Sequence, residues 1–377
     1  MGKNSVLKKD GGNKSLLNKD DSGLGLFQRF VFFIRGVQIV YALIFFVTVL
    51  ILTFTAASFA FAEDKFEKIP TCGDGTFYNK CSLDKPYYCQ DGILIEKSST
   101  CGCDEGMRKS GDSCSSEYGS EREDIVLTYF LEGSDRTVNF PLYKGVEDYV
   151  LGLSRIISYE GSEVPSRADF KIKSINEGVQ REMILPLVKE IQNLAPTDKV
   201  DQARIAISIV QNIPYGHSNR TLFFGGKETN YSRYPYEVLY DSKGICGEKS
   251  ALMAFLLKEL GYGTAIFYFE EENHEAIGIK CPVEKSLYGS GFCFVETGGP
   301  SIISDISLEF SDGIRLDSTP EVILISEGIS LPKGLDEYRD AKNLKDIRKR
   351  NIFGVLKFWK EDNIVEKYNL DSVYNIK

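Results

Sequence analysis

Six of the nine cysteines in this 377-residue chain are crowded into one short stretch: Cys72, Cys81, Cys89, Cys101, Cys103 and Cys114. The text around them is rich in turn signals such as Asp74-Gly75 and Asp91-Gly92. A segment this small buries too little apolar surface to fold by packing alone, so covalent staples must supply the rest. Such thiol density points to a disulfide framework and an oxidising compartment. Three bridges are expected, their connectivity open. Zinc is the competing use. It calls for paired Cys-x-x-Cys knuckles, which the spacing lacks, so no metal site is assigned. Cys246, Cys281 and Cys293 remain, and an odd total leaves at least one thiol free.

Export has a second signal. Gly36 to Ala62 contains no charged residue. As a helix it would be about 40 Å long, against a hydrocarbon core of about 30 Å. The preceding tail carries Lys3, Lys8, Lys9, Lys14, Lys19, Arg29 and Arg35, whereas Lys65 and Lys68 follow the run among acids. The positive-inside rule then places residues 1–35 in the cytoplasm, a single bilayer-spanning anchor at 36–62, and the rest outside. A cleaved signal peptide ending at Ala60-Phe61-Ala62 is the alternative, and it exports the remainder equally.

The formal net charge is -9, and Lys and Arg form no basic stripe, which argues against a nucleic-acid partner. Beyond the cysteine-rich unit at 72–114, residues 124–330 read as one α+β domain and 331–377 as an extension packing on it. "DIVLTYFLEG" and "RTVNFPLY" alternate like a strand pair. "REMILPLVKEIQNLA" has helical spacing, with Pro186 kinking or starting the helix. Residues 198–212 form a further helix, capped by Thr197 or Asp198. The loop that follows holds sequons at Asn219 and Asn230, which mark it as exposed.

The chemistry lies in "GICGEKSALMAFLLKELGY…NHEAIGIK…FCFVETGGP". Cys246 opens an amphipathic helix with Leu252, Phe255, Leu256 and Leu260 on one face and Gly261 as its stop. A thiol at a helix N-terminus beside an imidazole is the arrangement that makes cysteine nucleophilic. Its flanking glycines, Gly244 and Gly247, favour backbone approach over side-chain packing; a small buried hydrophobe is the plain alternative. His274 begins a strand, with Ala276 and Gly278 beside it leaving room for a substrate. Glu296 ends the next apolar segment. Nucleophile, base and orienting carboxylate thus occur in a workable order, and the chain has only one other histidine.

The stretch "VQNIPYG…RYPYEVLYDSKGICGEKSALMAFLLKELGYGTAIFYF…NHEAIGIK…FVET", roughly residues 201–300, resembles the transglutaminase-like superfamily, a papain-related group. The resemblance implies an α+β fold with the nucleophile at a helix N-terminus and the histidine and acid on antiparallel strands. It assigns Cys246, His274 and Glu296 as the catalytic triad, although Asp is usual in the last place. Tyr215 lies where relatives put an aromatic or amide group near the oxyanion; a core tyrosine is its alternative role. The cysteine-rich text "DGT…C…KPYYC…CGC" is similar to short units of exported archaeal proteins, which implies a spacer or adhesion knob.

Cys281 and Cys293 could form a fourth bridge, but this conflicts with the triad. If His274 pairs directly with Glu296, Cys281 falls opposite Gly289 and Cys293 opposite Ile277. That offset is about 13 Å, too far for a disulfide without a bulge or an irregular loop. The expected function is a membrane-anchored, outward-facing cysteine hydrolase or acyltransferase acting on amide bonds of surface proteins or peptides, with no cofactor. A catalytically inactive binding or adhesion ectodomain of the same fold is the alternative.

Overall fold

The computed structural model describes residues 45–51, 70–104, 107–116, 118–224, 226–307, 315–350 and 363–370. The expected transmembrane helix is corrected. Among the described residues no helix is long and apolar enough to cross a membrane. Of the run 36–62 only the helical segment 45–51, here α1, is described. Seven residues reach only about 10 Å, a third of a hydrocarbon core. The remainder of that run, the tail 1–35, and the topology and bilayer contact read from them lie outside the described residues. What is described is a mixed α/β protein built on small antiparallel sheets.

Residues 69–377 make up a single unit. At its start, β1 (Tyr87–Gln90) and β2 (Ile93–Glu96) form a hairpin. The Asp91-Gly92 turn between them has both residues at positive φ, as a two-residue hairpin turn requires. The helical turn α2 (Ser98–Cys101) and the hairpin of β3 (Arg108–Ser110) and β4 (Ser113–Ser115) complete the small unit. Its bridges are Cys72–Cys89, Cys81–Cys101 and Cys103–Cys114.

This unit is docked rather than tethered. The Asn193 side chain accepts from the Leu94 N–H at 2.9 Å and donates to the Leu94 carbonyl at 3.1 Å, so it acts as a missing strand for the edge of β2. Lys189, only 2% exposed, reaches Asp84 at 2.6 Å. Gln202 donates to the Gly73 carbonyl at 3.2 Å. Each contact satisfies a polar group that docking would otherwise strand away from water.

The larger part begins with the hairpin of β5 (Arg122–Leu131) and β6 (Ser134–Tyr143). Their alternation buries Leu127, Tyr129 and Leu131 against Val138, Phe140 and Leu142. Helices α3 (Lys144–Gly152), α4 (Arg167–Ile175), α5 (Gly178–Leu194) and α6 (Lys199–Asn212) follow. Pro186 lies inside α5. Asp198 caps α6, accepting from the N–H groups of Val200 and Asp201. A short hairpin, β7 (Thr221–Phe224) and β8 (Lys227–Asn230), precedes α7 (Pro235–Tyr240) and α8 (Cys246–Glu259).

The main sheet is antiparallel, in the order β11 (Phe292–Val295), β10 (His274–Lys280), β9 (Thr264–Phe269), β12 (Glu321–Ser326). Helix α8 packs on β9 and β10 and is flanked by α6 and α7. Its middle, from Ala251 to Leu257, is therefore buried on every side, not only along the expected stripe. Helix α9 (Asp336–Arg350) is joined to α6 by Arg204–Glu337 at 2.6 Å.

The register between β10 and β11 removes the conflict posed by the cysteines. Ile277 pairs with Val295 and Ile279 with Cys293. Compared with direct His274–Glu296 pairing, the strands are shifted by two residues. Both couples become diagonal neighbours: Glu296 falls in line with Ala276, and the Cys281 N–H bonds the Gly291 carbonyl at 2.9 Å. The Cys281–Cys293 bridge then closes at a Cα separation of 5.7 Å. One other expectation changes. A side chain at Gly278 would meet Phe292 and Phe267 at about 3.0 Å or less, and Ala276 is buried among Phe267, Phe269 and Phe294. These small residues accommodate aromatic packing, not substrate.

Replacing Asn193 by Ala strands the buried N–H and carbonyl of Leu94. We expect a loss of about 1–3 kcal/mol in urea unfolding, with faster proteolysis in residues 70–116. An unchanged midpoint would mean that this contact does not hold the unit in place.

Candidate active site

Cys246 is the free cysteine, half-buried at the first position of α8. Its helix start is held by buried charge. Glu248 accepts from the Ile245 N–H at 3.0 Å, closing the first turn as an acidic residue at this helix end should. The same carboxylate accepts from the Arg233 N–H at 2.8 Å and from its guanidinium at 3.0 Å. Arg233 in turn reaches Asp241 at 2.6 Å and the Gly216 carbonyl at 3.2 Å.

His274, the first residue of β10, and Glu296, one residue past β11, stand together at the end of the strand pair. His274 Nε2 lies 2.9 Å from Glu296 Oε2. The ring also makes a side-chain hydrogen bond with Cys246. With Nε2 engaged by the carboxylate, Nδ1 is the nitrogen left for the thiol. Glu296 is fully buried, and its other oxygen accepts from the Gly298 N–H at 2.6 Å. The three residues picked out by their order in the chain are thus in one bonded series.

Burial pulls the His274 pKa down. The charge of Glu296 and the hydrogen bonds with Cys246 and Glu296 override it and raise the pKa to about 10. Burial pushes the Glu296 carboxyl up, but the His274 charge and bond and the N–H groups of Gly298 and Thr297 hold it below the ordinary range. The linkage follows from these directions. The His274 contribution to stability is complete below the ordinary 6.5 and is lost as pH rises through about 10. The Glu296 contribution is present above the ordinary 4.5 and is lost on acidification below it.

Several supporting residues were not singled out from the sequence. Lys249, one turn beyond Cys246, is fully buried. Its ammonium donates to the carbonyls of Ile213 at 2.6 Å, Gly298 at 3.3 Å and Gln211 at 3.4 Å. Desolvation lowers its pKa to about 7 despite the opposing charges of Glu296 and Cys246. Thr297 donates to the Cys246 carbonyl at 3.2 Å, and Gln211 donates to the Glu296 carbonyl at 2.9 Å. A signal for Lys249 was present: it lies three and seven residues before Leu252 and Leu256, on the apolar stripe itself. Thr297 and Gln211 carry no comparable pattern.

A cleft of about 780 Å³ opens at Cys246, lined among others by Tyr215, His217, Tyr231, Arg167, Lys171 and Glu275. Tyr215 is 49% exposed, so it is not a core tyrosine. Its pKa is raised by burial and then by the charges of Cys246 and Glu248. His217 meets the Tyr215 ring edge-on, centroids 5.9 Å apart. A second cavity of about 500 Å³, between α6 and residues 300–303, is lined by none of Cys246, His274 and Glu296. Among the described residues no group of three or more His, Cys, Asp or Glu side chains is arranged to hold a metal ion. No known protein family matches the chain, and no curated protein matches it in sequence. These comparisons neither support nor oppose the transglutaminase-like resemblance.

Glu296→Gln removes the main cause of the His274 shift. The imidazole titration, followed by NMR, should fall from about 10 toward the ordinary 6.5. A midpoint that stays near 10 would show that the carboxylate does not govern the ring.

Proposed function

We propose that this chain is a transglutaminase-like cysteine acyl-transfer enzyme that acts on amide bonds of proteins or peptides. The observation that supports this most is the bonded series Cys246–His274–Glu296, with Glu296 wholly buried at one end and Cys246 lining a cleft at the other. An exported setting is supported by the four disulfides, since such bonds persist in oxidising compartments.

In this reading, His274 has already taken the Cys246 proton, as its raised pKa implies, and Sγ attacks the amide carbonyl carbon. The resulting oxyanion is met by the backbone N–H of Cys246, which precedes any helical acceptor. The hydroxyl of Tyr215, held protonated by its raised pKa, is the second candidate donor. The C–N bond then breaks, and the leaving amine carries away the proton held by His274. A thioester remains on Cys246. Water, deprotonated by His274, attacks it to give a carboxylic acid and the free thiol. An amine attacking in place of water would give a new amide, and hydrolysis is the default because water is always at hand. Glu296 orients the ring and stabilises the imidazolium throughout.

The test is release of ammonia or of a new amine from peptide and protein substrates by the full chain. Cys246→Ala should abolish release, and His274→Ala should lower kcat by roughly 10²- to 10⁴-fold. Iodoacetamide labelling of Cys246 should slow in His274→Ala at neutral pH. No release from any substrate, together with labelling indifferent to His274, would defeat the reading and leave a binding ectodomain.

The pH profile carries its own expectation. Because leaving-group protonation needs the His274 proton, activity should fall as pH rises through about 10. In Glu296→Gln that alkaline limb should move down with the imidazole pKa. A limb unmoved by the substitution would assign it to another group.

A further inference from the structure

We infer that the cleft selects substrates with a carboxylate close to the scissile amide, and that Arg167 reads that carboxylate. This rests on the acyl-transfer reading above and names its substrate class.

Arg167 and Lys171 lie four residues apart, on one face of α4. They share a single carboxylate: Glu275 Oε1 is 3.1 Å from Arg167, and Oε2 is 2.6 Å from Lys171. The other carboxylate lining the cleft, Glu248, is taken up by Arg233. The charges of Glu296 and His274 are committed to each other. One positive charge on this wall therefore lacks a carboxylate of its own among the lining groups, in a chain whose formal net charge is -9.

The wall also stands in the right place. Lys171 Nζ donates to the carbonyl of Gly247, the residue next to Cys246, at 2.9 Å. A side chain at Gly247 would meet Glu275 and Lys171 at 3.0–3.3 Å, so the ion pair presses directly on the start of α8. Lys171 is held by its ion pair with Glu275 and its bond to the Gly247 carbonyl, and its side chain is mostly buried. Arg167 differs. Its guanidinium lies 3.5 Å from the centre of the Tyr268 ring. It makes one hydrogen bond, to Glu275, among the described residues, and its side chain stays 40% exposed. A guanidinium has five N–H donors in a planar fork that fits a carboxylate with two parallel bonds. An aromatic shelf fixes that plane while leaving donors in reach of solvent. This is a reader with capacity left over, not a saturated structural pair.

Two sources of the carboxylate are possible: an acidic side chain beside the scissile bond, or the C-terminus of a short peptide. The experiment separates them. Four peptides share one scissile amide, flanked by Glu or by Gln, each with a free or an amidated C-terminus. For the full chain, kcat/KM should favour the anionic members by roughly 10- to 100-fold, the range of a charge-assisted contact. Preference that follows Glu assigns the side chain; preference that follows the free terminus assigns the chain end. Either supports an anion-reading wall. Arg167→Gln should collapse the ratio, and Arg167→Glu should invert it toward a Lys-flanked peptide, which a misfolded variant cannot do. Equal turnover of all four peptides, or a ratio intact in Arg167→Gln, overturns the inference. If no peptide is turned over, the acyl-transfer reading fails by itself. The anion preference is then read from binding of the same fluorescent peptides to Cys246→Ala, where equal affinities overturn it.

Discussion

The pairing of Ile277 with Val295 is the constraint on which the site depends. In an antiparallel pair, side chains directly opposite and those one diagonal step away share a face. That register makes His274 and Glu296 diagonal neighbours at one end of β10–β11, and Cys281 and Cys293 diagonal neighbours at the other. The disulfide lies with Ile277, Ile279 and Val295 in the core shared with α8. A slip by one residue would turn Glu296 to the wrong face and break the bridge together. The bridge therefore protects the register that holds the acid beside the histidine.

A second theme is the number of charges withdrawn from water around Cys246. Glu296, Lys249, Glu248 and Arg233 are all buried, yet each is bonded to a named partner. Removing one member of such a set costs more than the pair is worth, because the other member is left uncompensated. Lys249 is informative in this respect. Its ammonium binds backbone carbonyls from the segment leading to Tyr215 and from the segment following Glu296. It ties together loops whose side chains line or orient the site, at the cost of keeping an ammonium in the interior.

Much of this was legible because local rules and tertiary packing agreed. The hairpin of β5 and β6, the Asp198 cap, the extent of β10 and the grouping of Cys246, His274 and Glu296 all follow from alternation, capping chemistry and residue order. The membrane span was read from apolar length alone, and the described helices do not include it. The crowding of Gly278 and Ala276 could not be read, because the phenyl rings that fill their space come from β9 and β11. The cleft wall was also hidden. Arg167 and Lys171 stand about a hundred residues before Glu275, and the three carry no motif. The docking of the cysteine-rich unit through Lys189 and Asn193 looks in sequence like ordinary polar positions of a helix.

The four disulfides close loops between residues 11 and 20 apart in sequence. None of these loops contains Cys246, which falls between Cys114 and Cys281. A chain threaded outward from its N-terminus would present all six early cysteines, and each could find its mate nearby, before Cys246 emerged. The last pair would then close across a hairpin of its own. In such a chain the order of arrival would keep the Cys246 thiol apart from the six early cysteines, without any guard placed over its sulfur.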